Sequence, residues 1–350
     1  MRALVMDEFG GPLEIRDLPT PDVPEGAVLI DVAATGLCRS DWHAWSGHDD
    51  DVALPHVPGH EFAGVVTELG EGVENWQVGD RVTSPFVEGC GQCEWCRSGN
   101  AQVCPHQQQP GFTHAGSFAE QVVIHAADTN LVAIPEGVGF EAAALLGCRF
   151  ATAYRALTAR ARLQPQEWVT VVGAGGVGLS SVMIAKALGG RVVVLDRSPV
   201  PLAAAMRLGA DEVIQTEPAD APAQVAARIH ELTGGGSHVS IDAVGSPTTA
   251  ASAVLSLRRR GRHVQVGLLP SADGTSPVPM ARVIAWELDV LGSHGMAAAD
   301  YPPMLELVAA GTLDPAALLA GTIGLAEAAT ALPAMATSAG AGTTIIDPRR

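Results

Sequence analysis

The chain is poor in positive charge. Its 350 residues hold 21 Lys and Arg against 38 Asp and Glu, which gives a formal net charge of −17. A chain of this charge repels nucleic-acid phosphates, so a nucleic-acid partner is excluded. Lys186 is the only lysine. Schiff-base chemistry therefore has a single candidate, which we interpret as a surface residue of a predicted helix.

Long apolar runs and a secretory leader are also missing. No stretch of 18 or more apolar residues occurs, so no membrane span is predicted. The segment 1–8 has no apolar region followed by a cleavage site. The six cysteines are spaced for metal binding rather than for a disulfide scaffold. Together these absences predict a cytoplasmic protein.

The chain has two regions that differ in their sequence pattern. Strands are predicted at 28–33, 62–69 and 118–124, with Gly, Pro and Asp between them. Later apolar segments alternate with Ala-rich helical stretches, and they lie at 168–172, 191–195, 212–214, 238–243, 262–266 and 288–291. Six such strands predict an α/β, doubly wound parallel sheet. The predicted domains are a β-rich catalytic domain, 1–149 with 293–350, and a dinucleotide-binding domain, 150–292.

A glycine-rich string at 173–178, GAGGVG, follows the first strand of the second domain and opens a helix predicted at 179–188. Glycines in the pattern G-x-G-x-x-G allow a tight turn and bring backbone close to a pyrophosphate at the helix N-terminus. A tight turn with no ligand is the other interpretation of such a string. The predicted cofactor-binding residues are Gly173, Gly175, Gly176, Val177 and Gly178.

Asp196 ends the next strand, 18 positions after the last of these glycines. A carboxylate there accepts hydrogen bonds from the adenosine ribose and repels a 2′-phosphate. The sequence therefore predicts NAD(H) rather than NADP(H). The neighbouring Arg197 leaves tolerance of NADP(H) open, because an arginine there can accommodate the phosphate.

Cys38, His60 and Cys148 are far apart in sequence but share a chemistry. Two thiolates and one imidazole leave the fourth position of tetrahedral zinc open for water or substrate oxygen, as in catalytic zinc sites. A single buried cysteine more commonly packs as a small hydrophobic residue. The hypothesis therefore depends on the combination with the string Gly59-His60-Glu61. Because Cys148 lies at the boundary between these two regions of the sequence, we expect this metal in the cleft between the predicted domains.

Four further cysteines crowd one short run, and they are Cys90, Cys93, Cys96 and Cys104. Four thiolates fill the coordination of zinc and leave no open position, so such a site is structural. Unligated thiols packed this closely on a loop would oxidise. The sequence predicts a structural-zinc lobe near 88–105.

The same strings, in the same order, make the chain resemble the zinc-dependent medium-chain alcohol dehydrogenases over essentially its whole length. The resemblance is carried by Gly59-His60-Glu61, the C-x-x-C-x-x-C-x₇-C run and the glycine turn at 173–178. It implies a GroES-like catalytic domain, a Rossmann domain, NAD(H), and two zinc ions per subunit, one catalytic and one structural.

The resemblance also implies roles for residues around the catalytic metal. Asp41 orients the zinc histidine, and Glu61 is a carboxylate that can approach the metal. Ser40 hydrogen-bonds the substrate oxygen, and His43 ends a proton relay through the nicotinamide ribose. An ordinary surface histidine is the other interpretation of His43. Further cofactor contacts are expected at Arg39, Thr152, Arg197, Val244 and Val266.

Trp42, Leu54 and Phe86 are predicted walls of the substrate pocket from their motif positions. These apolar side chains favour a neutral alcohol. Cys148 as third ligand points away from polyol-type relatives, which often use a carboxylate there. We predict hydride transfer between a primary or secondary alcohol and NAD, with reversible reduction of aldehydes or ketones.

Two other enzyme classes are considered. A zinc-dependent polyol or amino-alcohol dehydrogenase differs only in its substrate. A zinc-free quinone or enoyl reductase of the same fold is disfavoured because a full ligand set is present. Since members of this family pair their nucleotide domains edge to edge, we expect a homo-oligomer, a tetramer rather than a dimer, with no nucleic-acid or membrane partner.

Overall fold

A computed structural model describes residues 1–269, 275–337 and 340–350. The chain divides into two compact units. The first comprises Met1–Ala151, 295–337 and Thr343–Arg350, and the second comprises Thr152–His294 with 340–342. None of the helices in these ranges combines the length and the apolar character needed to cross a bilayer.

The strands are numbered in chain order. They are β1 (Arg2–Met6), β2 (Leu13–Asp17), β3 (Val28–Gly36), β4 (Phe62–Leu69), β5 (Arg81–Thr83), β6 (Gln121–Ile124), β7 (Val132–Ala133), β8 (Trp168–Val172), β9 (Arg191–Asp196), β10 (Glu212–Gln215), β11 (Ser237–Asp242), β12 (Leu257–Gln265), β13 (Asp289–Gly292), β14 (Leu319–Gly324) and β15 (Thr343–Asp347).

The α-helices are α1 (Arg39–Trp45), α2 (Glu94–Arg97), α3 (Ala127–Asn130), α4 (Phe140–Ala144), α5 (Ala151–Arg155), α6 (Gly176–Ala187), α7 (Pro199–Arg207), α8 (Pro222–Thr233), α9 (Pro247–Leu255), α10 (Met280–Trp286), α11 (Pro302–Ala309) and α12 (Leu325–Ala334). Short 3₁₀ turns lie at Ala101–Val103, Ala298–Asp300 and Pro315–Leu318. Two wider, π-helical turns lie at Leu146–Phe150 and Ala156–Arg160.

The first unit contains a seven-stranded sheet in the order β14-β15-β3-β4-β5-β7, with β6 also pairing to β3. The pair β3–β4 is antiparallel and places Thr35 opposite Phe62. The C-terminal end of β3 therefore lies beside the start of β4. This register brings the segment after β3, which carries Cys38, next to the segment before β4, which carries His60.

Strand β6 is shorter than the predicted 118–124. It begins at Gln121 because the two residues at the start of the predicted segment bond to β1 instead. The N–H of Leu4 donates to the carbonyl of Phe118 at 2.8 Å, and Ala119 bridges Ala3.

Alternating apolar residues of the central strands build the core of the first unit. Inward-facing side chains of β3 and its neighbours pack together, and they are Val28, Ile30, Val32, Phe62, Val66, Val82, Val122 and Ile124. Burial of each is worth about 1.5–3 kcal/mol. A packed sheet of this kind gives the loops at its end a rigid support.

The second unit contains a six-stranded parallel sheet in the order β10-β9-β8-β11-β12-β13. This is the doubly wound order of dinucleotide-binding domains, so the predicted fold class is confirmed. Every residue of β8 is buried, which accounts for a sequence that is apolar except for Thr170. In register, Thr170 pairs with Val193 on one side and Ser240 on the other.

Candidate metal centres and dinucleotide site

Four potential ligands meet at the end of the β3–β4 pair. One donor atom from each of Cys38, His60, Glu61 and Cys148 lies within 4.8 Å of the others. Cys38 follows β3 and His60 precedes β4, and the β3–β4 register described above places these two segments side by side. All four side chains belong to the first unit.

Asp41 positions two of these ligands. Its Oδ1 lies 2.7 Å from Nδ1 of His60, and its Oδ2 accepts the backbone N–H of Cys38 at 2.9 Å. Asp41 reaches both because it lies in the first turn of α1, with Cys38 as the N-cap. The Nε2 of His60 is buried and finds no hydrogen-bond partner among the described residues. A nitrogen fixed in this way fits a metal, since zinc histidines commonly use one ring nitrogen for the metal and the other for a carboxylate.

Cys148 and Arg149 are carried by the π-helical turn Leu146–Phe150. Such turns are rare in proteins overall, and those that occur are often at functional sites. The hydroxyl of Tyr301 donates to the carbonyl of Leu146 at 2.9 Å and fastens the turn. The backbone N–H of Arg149 donates to Oε1 of Glu61 at 2.9 Å, and its guanidinium pairs with the same carboxylate.

The thiols and the imidazole perturb one another. The pKa of Cys38 lies well below its ordinary value, first because Cys148 hydrogen-bonds its sulfur and then because Arg149 and His60 are close. The pKa of Cys148 is raised well above its ordinary value by the same hydrogen bond and by burial. Burial disfavours the charged form of His60, but Asp41 outweighs it and raises the pKa. A divalent cation bound here would displace the protons that these groups retain.

The second cysteine cluster has the dimensions of a tetrathiolate site. Ligand atoms of Cys90, Cys93, Cys96 and Cys104 all lie within 4.8 Å of one another. Three sulfur pairs are separated by 3.5, 3.7 and 4.0 Å. A tetrahedron with Zn–S bonds of about 2.3 Å has sulfurs about 3.8 Å apart, so the cluster fits zinc. Backbone N–H groups of Gln92 and Cys93 lower the pKa of Cys90 to about 6.

The predicted pocket residues have different neighbours. The ring of Phe86 lies 6.1 Å from that of His60, whereas Trp42 and Leu54 pack on a neighbouring apolar cluster. Phe112, which the sequence analysis did not single out, is closer, with its ring 5.3 Å from His60. No local motif distinguishes Phe112, so its position follows only from the fold.

The predicted relay residues lie along α1. The Oγ of Ser40 is 3.9 Å from the sulfur of Cys38. The Nδ1 of His43 lies 3.1 Å from Nδ1 of His48, an exposed partner that the sequence analysis did not identify. The guanidinium of Arg39 is exposed and lies 5.4 Å from the Trp42 ring.

In the second unit, the glycine turn connects β8 to α6. Gly173 has a φ of +93°, a conformation that favours glycine. A Cβ on Gly178 would lie 1.8 Å from the carbonyl oxygen of Gly173, so only glycine fits there. Gly175 is the N-cap, and α6 begins at Gly176 with Val177 next, three residues before the predicted start. The glycine at position 176 tolerates helical φ/ψ, and the helix extends into the turn.

Asp196 ends β9 beside this turn. Its Oδ2 accepts the N–H of Ala174 at 2.8 Å, and its Oδ1 accepts the N–H of Ser198 at 2.9 Å. Arg197 is exposed. The carboxylate is therefore fixed next to the first glycines, with lone pairs left for a ligand.

The remaining predicted cofactor residues follow β11, follow β12 or begin α5. The N–H of Val244 donates to Oδ1 of Asp242 at 2.9 Å, and 52% of Val244 is exposed. The N–H of Val266 donates to the carbonyl of Asp242 at 3.1 Å. Thr152 is buried in α5. Val244 and Val266 thus lie at the carboxyl ends of parallel strands, the edge at which such sheets bind ligands.

Family models match both halves of the chain. The alcohol dehydrogenase GroES-like domain matches residues 24–136. The zinc-binding dehydrogenase domain matches residues 176–310.

Individual relatives align with most of this chain. The alcohol dehydrogenase of Geobacillus stearothermophilus is 35% identical over 315 residues, covering 89% of this chain and 90% of that protein. The sorbitol dehydrogenase of Halalkalibacterium halodurans is 35% identical over 313 residues, 88% of each chain. The crystal structure of an NAD-dependent alcohol dehydrogenase is 31% identical, with a TM-score of 0.88 over 99% of both chains. This chain therefore belongs to the zinc-type medium-chain alcohol dehydrogenase family.

Proposed function

We propose that the protein is a zinc-dependent oxidoreductase that transfers hydride between an alcohol and NAD, and in reverse reduces an aldehyde or ketone. One observation carries the proposal. With Nδ1 of His60 engaged by Asp41, Nε2 is left without a partner in the described chain, in a cluster with two cysteine thiols. Two sulfurs and one imidazole nitrogen form a three-ligand set that leaves zinc an open position.

The residues beside these three ligands would transfer the proton of the alcohol hydroxyl. When bound, zinc acts as a Lewis acid and lowers the pKa of an alcohol hydroxyl. Ser40, whose Oγ is next to the Cys38 sulfur, would accept the hydroxyl proton while releasing its own hydroxyl proton. His43 would accept the proton that Ser40 releases, by way of the ribose of a bound cofactor, and would pass it to solvent beside the exposed His48. The hydride acceptor is the cofactor.

Asp196 is the basis for proposing NAD(H). Its carboxylate accepts the N–H of Ala174 in the glycine turn and the N–H of Ser198 just after β9. There it would accept hydrogen bonds from the ribose hydroxyls and repel a 2′-phosphate. Gly175 and Gly176, at the N-terminus of α6, would hold the cofactor pyrophosphate. Arg39, Thr152, Arg197, Val244 and Val266 complete the proposed cofactor contacts.

Two zinc ions per subunit are proposed. Cys38, His60 and Cys148 hold the catalytic ion. The cluster of Cys90, Cys93, Cys96 and Cys104 holds a structural ion, because its four sulfurs fill the tetrahedron and leave no position for a substrate.

The proposed substrate is a neutral primary or secondary alcohol, because the expected pocket residues Trp42, Leu54 and Phe86 are apolar. A polyol or amino-alcohol substrate is the second candidate. It is favoured by the 35% identity to a sorbitol dehydrogenase, whereas the thiol of Cys148 in the third ligand position favours the simple alcohol.

A homo-oligomer, a tetramer in preference to a dimer, is proposed for a cytoplasmic enzyme. Strand β13 has a neighbour on one side only within the described sheet. Val290 on β13 and Met280 and Ile284 on α10 are exposed, by 43%, 53% and 73% respectively. Unpaired strand edges with apolar neighbours are generally covered, and a second copy pairing through β13 would cover this one.

The deciding experiment measures zinc per subunit together with NAD- and NADP-linked oxidation of primary, secondary, benzylic and polyol alcohols. We expect two zinc ions and NAD-linked oxidation. Cys148→Ser should lose one zinc and all alcohol oxidation while still binding NAD. Retained activity in this variant would refute the ligand assignment, and absence of zinc from the wild-type protein would favour a zinc-free reductase.

A further inference from the structure

Glu61 is a fourth donor in a site that needs three. One of its carboxylate oxygens lies within 4.8 Å of ligand atoms of Cys38, His60 and Cys148, and carboxylates are ordinary zinc ligands. Glu61 is completely buried, so water does not screen its charge. A metal that took all four donors would have no open position for substrate. The site therefore requires a group that holds Glu61 away.

Arg149 occupies both oxygens of that carboxylate. Its backbone N–H and its Nε each lie 2.9 Å from Oε1 of Glu61. Its Nε also lies 3.0 Å from Oε2, and its Nη2 contacts the same oxygen. Paired N–H···O bonds of this type are the strongest and most directional contacts that arginine makes with a carboxylate.

The surrounding backbone is shaped around the pair. A Cβ on Gly36 would lie 2.6 Å from Oε2 of Glu61 and 3.1 Å from Nη2 of Arg149. The N–H of Gly36 donates to the carbonyl of Glu61 at 2.6 Å. Arg149 directly follows the ligand Cys148 on the same π-helical turn, so the ligand and the group that restrains Glu61 are positioned together.

We infer that Arg149 is a positioning residue that keeps Glu61 off the catalytic metal and preserves the open position for substrate. The inference rests on the proposed function, since it requires a metal at Cys38, His60 and Cys148. Two thiolates balance the charge of a divalent ion, and the ion pair of Glu61 and Arg149 adds no net charge. Without the arginine, a buried carboxylate is left unpaired, which is strongly unfavourable. Glu61 would then turn to the metal.

The test uses enzyme in which Co²⁺ replaces zinc, because the visible spectrum of Co²⁺ reports the type and geometry of its ligands. The band that disappears in Cys148→Ser belongs to the catalytic site. In Arg149→Gln, we expect that band to change as an oxygen ligand enters, and KM for the alcohol to rise about 10- to 100-fold. Arg149→Lys keeps the charge but not the paired geometry, so its spectrum and KM should lie between the two.

Glu61→Gln is the matched control, and it remains informative if Arg149→Gln does not fold. Its cobalt band should equal that of the wild type, because Glu61 is not a ligand there; an altered band would overturn the inference. The double variant Arg149→Gln/Glu61→Gln should recover the wild-type band, and a persisting change would also overturn it. Wild-type protein with no Cys148-dependent cobalt band would refute the proposed function itself. An unchanged band in folded Arg149→Gln would refute only the role of Arg149.

Discussion

Oδ1 of Asp41 lies 2.7 Å from Nδ1 of His60, and both side chains are almost wholly buried. The same carboxylate holds the backbone N–H of Cys38 at 2.9 Å through its other oxygen. One carboxylate thus fixes the tautomer of one proposed zinc ligand and the backbone of another. Its removal should therefore affect the metal before it affects the cofactor.

Asp41→Asn should weaken binding of the catalytic zinc by about 10- to 100-fold, the usual effect of losing a carboxylate that supports a zinc histidine. The amide has one acceptor oxygen where the carboxylate uses two, so it cannot keep both contacts in their present geometry. The measurement is the rate of zinc release to a chelator, followed together with activity. Asp50→Asn is the control, because Asp50 is exposed in the loop after α1. Equal release rates for the two variants would contradict the assigned role.

Cys93→Ser should remove one zinc per subunit without removing the other. The sulfur of Cys93 lies 3.5 Å from that of Cys96 and 3.7 Å from that of Cys104, so it shares the proposed metal with both. We expect faster proteolysis within the lobe near 88–105 and a lower Tm, because structural zinc contributes directly to folding. The exposed Glu94 supplies the control, Glu94→Gln. Unchanged zinc content in Cys93→Ser would argue against a metal in this cluster.

Asp196→Gly should lower the preference for NAD over NADP by about tenfold or more, equivalent to about 1.4 kcal/mol. The change removes both the acceptor for the ribose hydroxyls and the charge that repels a 2′-phosphate. The measurement is the ratio of kcat/KM for the two cofactors. Adding Arg197→Ala should restore part of the discrimination, since the arginine is then no longer available to a phosphate. A ratio that Asp196→Gly leaves unchanged would contradict the cofactor assignment.

His43→Ala should slow alcohol oxidation most strongly at neutral and mildly acidic pH. The pKa of His43 lies below its ordinary value because burial and the nearby His48 and Arg39 disfavour the imidazolium, against weaker opposing effects of Cys38 and Asp49. His43 therefore stays neutral, and able to accept a proton, below the pH at which a free imidazole is protonated. The expected loss in kcat is on the order of 10², and it should shrink above about pH 9, where hydroxide accepts the proton directly.

The kcat–pH profile from about pH 6 to pH 10 tests this relay. His48→Ala serves as the comparison, because removing a neighbour that lowers the pKa of His43 should move the acidic limb to higher pH. Parallel profiles for the wild type and His43→Ala would mean that His43 carries no proton in the reaction.

The fold could be predicted because its signals are local. Every residue of β8 is apolar or Thr and every one is buried, and a glycine turn follows at once, so strand, turn and helix are each specified by adjacent residues. The six parallel strands were predicted in this way. The start of β6 was predicted wrongly because Phe118 and Ala119 bond to β1, more than a hundred residues earlier, which no local pattern shows.

The candidate site likewise contains residues that the sequence could predict and a contact that it could not. Its cysteines and histidine are recognisable from residue type and spacing, whereas the partner of Glu61 is not. Glu61 and Arg149 are separated by 88 positions, and only the packing of the π-helical turn against the start of β4 brings them together. One signal was available, since an arginine between Cys148 and Phe150 interrupts an apolar segment, and a buried arginine requires a partner.

The π-helical turn at Leu146–Phe150 also limits how the length of this chain can vary among homologues. Each residue of an α-helix advances about 100° around its axis, and a π-helical turn holds one residue more than an α-helical turn. A single-residue deletion here would restore α-helical winding and rotate Cys148 by about 100° relative to α5. The cysteine would then point away from Cys38 and His60 without having been mutated. In an alignment of homologues, an insertion or deletion at this turn is therefore as informative about loss of the metal as replacement of a ligand.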